Sequence, residues 1–501
     1  MPAGKLEKRE FHDFAGGLNL IAEATELAPN ESPDMLNMIL TERGAAVKRL
    51  GNEAEAQGSL PNTVPTNLYW SNFLGQFLLQ TGTKLWRRTA IGTWTEITRT
   101  GPVDAFPSAA RRTIADFRDG TADAVVFISA VGSEGVQTYT GSGSITAAVA
   151  GPATFGAVWQ NRFWTGSGVS SILGFSNPAV GNAYPNSVNI RDKDTAFLRA
   201  AIAAPIGNLL VFKDHSTYRI NDSNTGSYTT IDANHGASGP LAVNSLKGIV
   251  CCVNEEGIWI TDGNNALEEA SAKIRPLFGP TMLNLALRDG WTVGITNDTF
   301  LISLSRVGSS VNDLTIEFDP VAGWMVPHSY GAVAFARSEG AIEETFLAHT
   351  AAVGSKAQIR KVQKGGSDGG AAIAAHFRGH WIRPERDVLA QLRRTKVTAR
   401  GDFDFYISKD FQRGDGAVRS VSVGGTPIFY GGGVPGEYGP AGGYGYVDLY
   451  SWGPVRSASF LVRESSTISF NKPTIVGAGQ EEEGAFSLYG VRYDFIPLGD
   501  A

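Results

Sequence analysis

Short apolar runs separated by turns recur along most of the chain, whereas long amphipathic helical patterns are almost absent. The recurring unit is an apolar strand, a short turn and a second strand. Seven such units are centred on Leu78, Val126, Phe163, Val211, Val250, Leu301 and Phe346. From the first centre to the last, the mean spacing is about 45 residues, which lies within the range of roughly 40 to 50 residues for one β-propeller blade.

A single hairpin cannot bury both of its faces, so hairpins at this spacing are expected to stack as blades around an axis. We therefore predict an all-β chain with a seven-bladed β-propeller. Six to eight blades are possible, because the spacing varies from 37 to 51 residues. Outer strands of three blades are expected at "TWTEIT", "SYTTIDA" and "GWMVPH". The best helical patterns are short, around residues 32–40 and 281–287.

The repeat ends at "KGGSDGG", which has the composition of a flexible linker. Alternating strands beyond it predict a second all-β unit of the β-sandwich type. That unit contains a Gly- and Tyr-rich loop, and loops of this length are usually functional or mobile. The predicted organisation is an N-terminal arm at 1–61, a β-propeller at 62–363, a linker at 364–370, and a β-sandwich-like domain at 371–501 with the loop at 424–453.

Composition narrows the class of protein. Glycine accounts for 60 of 501 residues, far above the usual share of about 7%, which fits many strands joined by turns. A net charge of −6 argues against a surface dedicated to gripping nucleic acid. The opening segment lacks an apolar h-region, and no stretch approaches 18 consecutive apolar residues, so we expect neither a secretory signal nor a membrane span. Cys251 and Cys252 would point to opposite faces of a strand, so no disulfide is expected between them.

Two glycine patterns match catalytic motifs but lack the structural context that the chemistry needs. The GxSxG pattern at residues 365–369 requires a strand, a sharp turn and a helix, yet it lies in the predicted linker. Gly431, Gly433 and Gly436 fit GxGxxG, but Pro435 interrupts the pattern and no helix follows. Both are interpreted as loop glycines.

Charged pairs are also open to simpler readings. His376 and His380 lie in an extended stretch without further ligands, which favours ordinary packed or surface histidines over a metal site. Asp402 and Asp404 share one strand face, and a solvated face explains this better than a paired-carboxylate site. The stretch "LRRTKVTAR" carries Arg394, Lys396 and Arg400 on one face. We favour an intersubunit surface over a DNA reader there. We therefore predict no enzyme, cofactor or metal.

The stretches "DFAGGLN", "LAPNESPDMLNM" and "ERGAAVKRLG" follow one another between residues 13 and 51. Together with "WQNRFWTG…ILGFSNP" at 159–178 and "NLLVFKDHSTYRI" at 208–220, they resemble bacteriophage tail proteins of the tail-stabilisation or tail-nozzle type. The resemblance covers about residues 11–360, and the C-terminal part is similar only in general character. The motif or assembly residues that it implies are Asp13, Phe14, Gly16, Gly17, Leu18, Asn19, Gly44 and Arg49.

The resemblance implies a structural subunit of the virion tail, assembled in the host cytoplasm. Such proteins are similar in forming a homo-hexameric ring below the portal and its adaptor. The ring surrounds the channel for double-stranded DNA, retains the genome and opens for ejection, and tail fibres or spikes would be further neighbours. The early segment would serve partly as an assembly arm, and "AAVKRLG" would close the propeller by adding a strand to the last blade.

Exposed long loops are the candidates for the gate of such a ring. They are residues 184–194 and the loop at 424–453, which carries Tyr430, Tyr438, Tyr444 and Tyr446. The first alternative function is a host-surface propeller that binds or cleaves glycans through aromatic and acidic side chains at the channel mouth. A cellular scaffold that binds peptides is the second alternative, and the N-terminal motif is its main difficulty.

The glycan alternative depends on the tryptophans of the blades. They are Trp70, Trp86, Trp94, Trp159, Trp164, Trp259, Trp291 and Trp324. Most of these indoles alternate with other apolar strand positions, so we expect them to pack in the core rather than to offer a sugar-binding surface.

Overall fold

The computed structural model consists of strands and short connections, which confirms the predicted all-β class. It describes residues 7–23, 26–41, 43–55, 60, 63–99, 104–119, 122–129, 136–149, 153–180, 184–191, 194–339, 343–350, 357–380, 390–409, 417–423, 445–455, 458–464 and 487–497. Two 3-10 helices occur in these ranges, Ala272–Leu277 and Leu285–Gly290. No helix of the described chain is long and apolar enough to cross a membrane.

Seven antiparallel sheets of four strands each succeed one another along the described residues. The first four are sheet 1 (Asn67–Ser71, Gln76–Thr81, Lys84–Ala90, Thr93–Ile97), sheet 2 (Arg112–Asp119, Ala122–Ser129, Val136–Tyr139, Thr146–Val149), sheet 3 (Phe155–Trp159, Arg162–Gly166, Ile172–Phe175, Asn186–Asn189) and sheet 4 (Leu198–Ala203, Leu209–Lys213, Thr217–Ile220, Tyr228–Asp232). The others are sheet 5 (Val243–Leu246, Ile249–Val253, Ile258–Thr261, Glu268–Glu269), sheet 6 (Thr292–Ile295, Phe300–Leu304, Leu314–Phe318, Met325–His328) and sheet 7 (Ala332–Arg337, Thr345–His349, Ile359–Lys361, Glu53–Ala54).

The sequence repeat corresponds to these sheets. Each of its seven centres lies in the second strand of one sheet. The three expected outer strands are the fourth strands of sheets 1, 4 and 6. One period of about 45 residues is therefore one four-stranded sheet with its connections.

Tight two-residue turns with positive φ link neighbouring strands, and Asn161 and Gly248 are the residue types that favour this conformation. Gln160 and Asn161, between the first two strands of sheet 3, have φ values of 47° and 57°. Lys247 and Gly248, at the same place in sheet 5, have φ values of 51° and 86°. Two successive positive φ angles define the hairpin turn whose twist matches that of the flanking strands.

The first strands of the sheets form a closed circuit. Each contacts the first strand of the following sheet, and the first strand of sheet 7 contacts that of sheet 1. An apolar cluster fills the space between sheets 7 and 1, formed by Leu60, Leu68, Phe77, Leu79, Trp86, Trp94, Ala334, Ala336, Phe346, Ala348, Ala357 and Ile359. Stacked sheets thereby bury the faces that a single sheet would expose.

Arg111 joins sheets that are not neighbours in this circuit. It precedes sheet 2, and its guanidinium donates to the carbonyl oxygen of Gly290 (3.1 Å), just before sheet 6, and to that of Val333 in sheet 7. Burial lowers the pKa of Arg111 to about 10. One side chain can reach three sheets only if their first strands converge.

Sheet 7 is completed by a strand from the beginning of the chain. Glu53–Ala54 pairs with Ile359–Lys361, and the Glu55 N–H donates to the Ile359 carbonyl oxygen at 3.0 Å. The prediction that residues 45–51 would supply this strand is wrong, because Ala46–Lys48 pairs with Met38–Leu40 instead. The strand that completes sheet 7 therefore comes from a segment a few residues later than the predicted one.

By its internal contacts the chain divides into two compact units. Unit 1 contains Met1–Asn52, Gly323–His328 and Gln363–Ala501, and unit 2 contains Glu53–Ala322 and Ser329–Val362. This division differs from the predicted separate arm, linker and C-terminal domain. The N-terminal segment and the segment after residue 363 form one unit.

A long strand, Ala390–Lys409, organises the later part of unit 1. Its first half pairs with Gly445–Val455 and Ser487–Pro497, and its second half pairs with Ala417–Val423 and Ala458–Glu464. Besides Met325–His328, which also belongs to sheet 6, the other described strands of unit 1 are Glu7–Phe11, Gly17–Leu18, Glu31–Ser32, Asp34–Leu36, Met38–Leu40, Ala46–Lys48 and His376–Arg378. Two groups of strands thus share one long strand.

The two short helices expected from the sequence have different outcomes. Residues 32–40 form strands, because Asn37 adopts a φ of 55° and separates Asp34–Leu36 from Met38–Leu40. The second expectation is met in part, since the 3-10 helix Leu285–Gly290 overlaps residues 281–287.

Candidate functional sites

The residues of the "DFAGGLN" stretch are held within unit 1. The Phe14 N–H donates to the carbonyl oxygen of Gly44 at 2.8 Å, and the exposed Asp13 accepts a hydrogen bond from the Ala15 N–H at 2.9 Å. The Phe14 ring is buried and meets Phe377 edge-on, with centroids 5.3 Å apart. The start of the motif therefore joins the "RGAA" segment to a strand more than 350 residues later.

Three glycines of the motif set are required by close approach. A Cβ at Gly16 would lie 2.7 Å from the carbonyl oxygen of Asn30, and a Cβ at Gly44 would lie 2.8 Å from a carboxylate oxygen of Asp13. At Gly17 it would lie 3.0 Å from the Cβ of Trp324, and the φ of 78° disfavours any side chain. Only glycine satisfies both the space and the backbone conformation at Gly17 and Gly44.

The end of the motif is fixed by a short parallel pair. Gly17–Leu18 lies beside Glu31–Ser32, and the Asn19 N–H donates to the Ser32 carbonyl oxygen at 2.8 Å. The Asn19 side-chain amide donates to the Glu31 carboxylate at 2.8 Å, in a buried contact. Its oxygen accepts from two backbone N–H groups of the following turn. The buried carboxylate is thus partnered, as an unpaired charge would be costly.

Arg49 forms a buried ion pair with Asp368. One guanidinium nitrogen donates to an Asp368 oxygen at 2.9 Å, a second nitrogen also contacts that carboxylate, and Nε donates to the Asn37 side-chain oxygen at 2.9 Å. The same Asp368 carboxylate accepts the Asn52 N–H at 3.0 Å. The interpretation of residues 364–370 as a free linker is therefore wrong, because this segment is tied to the end of the N-terminal part.

Of the four candidate gate tyrosines, Tyr446 lies within the described residues. Tyr430, Tyr438 and Tyr444 lie outside the described residues. Tyr446 lies in the strand Gly445–Val455, paired with Thr398, so the predicted loop ends earlier than residue 453. The second gate candidate, residues 184–194, contains the fourth strand of sheet 3, Asn186–Asn189.

An open cavity of about 530 Å³ lies in unit 2, beside sheet 5. Its lining residues are His235, Glu255, Glu256, Trp259, Glu269, Arg275, Phe278, Gly279, Pro280 and Leu285. They come from the connection between sheets 4 and 5, the turn after Ile249–Val253, the third and fourth strands of sheet 5, and the connection to sheet 6 that contains both 3-10 helices. Loops on a rigid sheet scaffold are the usual place for ligand contacts.

The cavity has an aromatic floor. The imidazole of His235 stacks on the indole of Trp259, with centroids 3.6 Å apart and planes inclined by 24°. Trp259 Nε1 donates to the Asn254 side-chain oxygen at 3.0 Å. His235 Nδ1 lies 3.2 Å from both carboxylate oxygens of Asp232. Both rings are therefore held in position by a second layer of polar contacts.

Sequence reasoning missed this cavity. It named Trp259 only as one of eight blade tryptophans, most of them expected in the core, and did not single out His235 or the three glutamates. The signal available was the connection of more than twenty residues between the last strand of sheet 5 and the first strand of sheet 6, because long connections that carry no strand are often functional.

No family model matches the chain, and no curated protein matches it. Among solved structures, it is similar to the extracellular domain of a putative one-component system from B. thetaiotaomicron, with 9% identity, a TM-score of 0.43, and coverage of 80% of this chain and 59% of that one. It is also similar to a catalytically inactive virginiamycin B lyase from Staphylococcus aureus with quinupristin, with 13% identity, a TM-score of 0.37, and coverage of 60% and 97%. Likenesses this weak carry no argument about function.

The two histidines that were weighed as metal ligands are not brought together. His376 Nε2 contacts Asp34 at 2.8 Å, and His380 is buried against Phe11, so the two histidines have different partners. In the described part of the chain, no group of three or more His, Cys, Asp or Glu side chains could hold a metal ion. Both cysteines are free and buried, which confirms the expectation of no disulfide between them.

The carboxylate pair and the cationic stretch that the sequence singled out lie on the long strand Ala390–Lys409. Asp402 and Asp404 pair with Ser422 and Ser420 in the strand Ala417–Val423. The cationic positions of "LRRTKVTAR" lie on the same long strand, at Arg394, Lys396 and Arg400. The glycines of the GxGxxG pattern lie outside the described residues.

The blade tryptophans confirm one expectation. Seven of the eight are buried: Trp86, Trp94, Trp159, Trp164, Trp259, Trp291 and Trp324. Trp70 is partly buried and packs against the cluster between sheets 7 and 1. Most indoles therefore stabilise the sheets, and Trp259 also borders the cavity beside sheet 5.

Proposed function

We propose that the chain is a structural subunit of a bacteriophage tail, of the nozzle or stabilisation type, that forms a homo-hexameric ring around the DNA channel. In this role it retains the genome below the portal and its adaptor and permits ejection. Its action is mechanical, so it needs no cofactor and has no turnover. It would reside in the virion tail after assembly in the host cytoplasm, near tail fibres or spikes.

The observation that carries the proposal is the packing of the "DFAGGLN" motif. The sequence resemblance rests on this stretch, and its residues have specific structural roles: glycines at close approaches, Asn19 on Glu31, and Phe14 on Phe377. Among these contacts, Phe14 on Phe377 binds the N-terminal segment to the segment after residue 363 within unit 1. A subunit whose two ends are fastened in one body suits a load-bearing ring.

We further propose that the seven sheets are the blades of a seven-bladed β-propeller. The closed circuit of first strands and the reach of Arg111 across it support this architecture. The two strand groups around Ala390–Lys409 would form the predicted sandwich. Sequential sheets closed into a ring leave no exposed sheet face at either end of the repeat.

Subunits would meet through strand edges of unit 1. Ala417–Val423 and Gly445–Val455 each pair with the long strand Ala390–Lys409 within the described residues. Strand edges are natural templates for pairing with another chain. The net charge of −6 suits a lumen along which DNA slides without sticking, because a basic lumen would hold the phosphates.

The mass of the native full-length protein, alone and with a candidate portal-adaptor protein, tests the proposal. We expect a hexamer, or a monomer that becomes a ring on the adaptor, in native mass spectrometry. A monomer that ignores the adaptor and instead retains host polysaccharide would overturn the proposal in favour of the glycan-binding alternative.

A further inference from the structure

The cavity beside sheet 5 has the chemistry of a ligand site that the proposed mechanical role does not use. Its aromatic floor is the stack of His235 on Trp259. Since a carboxylate can only accept hydrogen bonds, the Asp232 contact assigns the proton of the neutral imidazole to Nδ1. Nε2 of His235 is then a hydrogen-bond acceptor at the cavity.

The walls combine apolar surface with an excess of negative charge. Phe278, Pro280 and Leu285 supply the apolar part. Three glutamates line the cavity, against one lining arginine. Glu269 is paired with Arg275, and Glu255 is paired with Arg288, which lies outside the lining set.

Glu256 differs from the other two glutamates. It is exposed, and its backbone N–H donates to the Asn254 side chain in the turn that also holds Trp259. No cation of the described residues forms an ion pair with its carboxylate. The rim therefore offers one uncompensated carboxylate within a cavity floored by aromatic rings.

We propose that this cavity binds an organic cation, an ammonium or guanidinium group on an apolar stem. The cation would lie against the His235–Trp259 stack and donate hydrogen bonds to His235 Nε2 and the Glu256 carboxylate. Its stem would contact Phe278 and Leu285. The volume of about 530 Å³ lies within the range of small-molecule sites, so the cation and its stem both fit.

This chemistry has two sources, a free small-molecule amine or a Lys or Arg side chain of a partner protein. Aromatic and acidic groups also suit a sugar, but the apolar walls and the net negative charge favour a cation. The inference stands independently of the ring proposal, because it concerns residues of unit 2 only.

Calorimetric titration of the full-length protein separates these cases. The probes are Nα-acetyl-arginine methylamide, Nα-acetyl-lysine methylamide, free arginine, and capped citrulline as the uncharged isostere of arginine. We expect the capped cations to bind and citrulline not to bind.

The outcomes distinguish the two sources of the cation. Equal binding of capped and free arginine would indicate side-chain recognition, and preference for the free form would indicate a small-molecule amine; both support the site. Binding of citrulline as tightly as arginine, or of methyl glucoside alone, would overturn it, as would no binding by any cation.

Two substitutions locate the binding. Glu256→Gln should weaken it by roughly threefold, the usual effect of removing one exposed charge. His235→Phe keeps a ring on Trp259 and should weaken binding by about tenfold, since a hydrogen bond to a charged group is lost. In that variant the Asp232 carboxylate still accepts hydrogen bonds from the backbone N–H groups of Asn234, residue 235 and Leu267.

The matched control is Glu268→Gln. Glu268 is an exposed glutamate of sheet 5 that does not line the cavity, and it undergoes the same change of charge. It should leave binding unchanged. If Glu268→Gln weakened binding as much as Glu256→Gln, the effect would be long-range charge alone, and the assigned site would be wrong.

Discussion

His380 is a buried histidine without an acidic partner in its described contacts. Its ring meets Phe11 edge-on, with centroids 4.5 Å apart. Burial lowers the pKa of His380 to about 4, although a hydrogen bond that the imidazole donates to the backbone carbonyl oxygen of Pro29 opposes the shift. The folded unit 1 therefore favours the neutral form of the His380 imidazole.

Acidification should destabilise the protein through His380. In the unfolded chain the imidazole takes up a proton near pH 6.5, whereas the folded protein resists until about pH 4. The stability that the neutral ring contributes is thus present above pH 6.5 and is lost as the pH falls towards 4, by about 3 kcal/mol at most. Urea unfolding between pH 7 and pH 4 measures this loss.

His380→Phe should flatten that pH dependence, because phenylalanine keeps the edge-on contact and does not titrate. His12→Asn, which removes an exposed imidazole, should leave the slope unchanged. If the free energy of unfolding of His380→Phe fell with pH as steeply as that of the unmodified protein, His380 would not be the source of the pH dependence.

Three residues of the motif set are glycines because a side chain at these positions would collide with a neighbouring segment. The resemblance marks Gly16, Gly17 and Gly44 as motif residues, and the structure supplies the cause, which is the contact each Cβ would make. The partners are Asn30, Trp324 and Asp13, of which only the first and last are near in sequence. No local pattern could identify a contact between residues 17 and 324.

Among the elements, the strand that completes sheet 7, Glu53–Ala54, has only two residues and therefore few backbone hydrogen bonds to hold it. Side chains reinforce it. Glu55 pairs with Arg88 of sheet 1, and the Arg88 guanidinium lies 5.5 Å from the ring centre of Phe77 and 5.3 Å from that of Phe346. Burial raises the pKa of the Glu55 carboxyl, which Arg88 counteracts. Arg88 thus links sheets 1 and 7 by charge and by aromatic contact.

Arg88→Ala should destabilise the protein by about 3 kcal/mol, because it leaves a largely buried carboxylate without its cation. Lys84→Ala is the control in the same strand, since the Lys84–Glu96 pair is far more exposed and is worth about 0.5 kcal/mol. Thermal unfolding of both variants measures the difference. Similar losses for the two would show that the Arg88 contacts do not reinforce the closure.

At the scale of the whole molecule, the boundary of unit 2 is open to a direct test. The sequence predicted a propeller from residue 62, whereas the structure includes the closing strand from residue 53. A fragment of residues 53–362 should unfold at a higher temperature than one of residues 62–362. The longer fragment keeps the fourth strand of sheet 7 and the Arg88–Glu55 pair. Equal melting temperatures in circular dichroism would place the closure elsewhere.

The sequence by itself determined the features that depend on neighbours along the chain. The period of about 45 residues, the apolar second strands and three of the fourth strands follow from alternation and turn residues, which act locally. Burial of most tryptophans follows from the same alternation.

Only the tertiary structure decided which distant segments meet. It selected Glu53–Ala54 over residues 45–51 for the closure, turned residues 32–40 into strands around Asn37, and tied Asp368 to Arg49. It also brought His235, from the connection between sheets 4 and 5, onto Trp259 in the third strand of sheet 5. Several nearby segments have suitable local patterns, and the choice among them depends on side-chain fit and on charge pairing across hundreds of residues, which local periodicity does not encode.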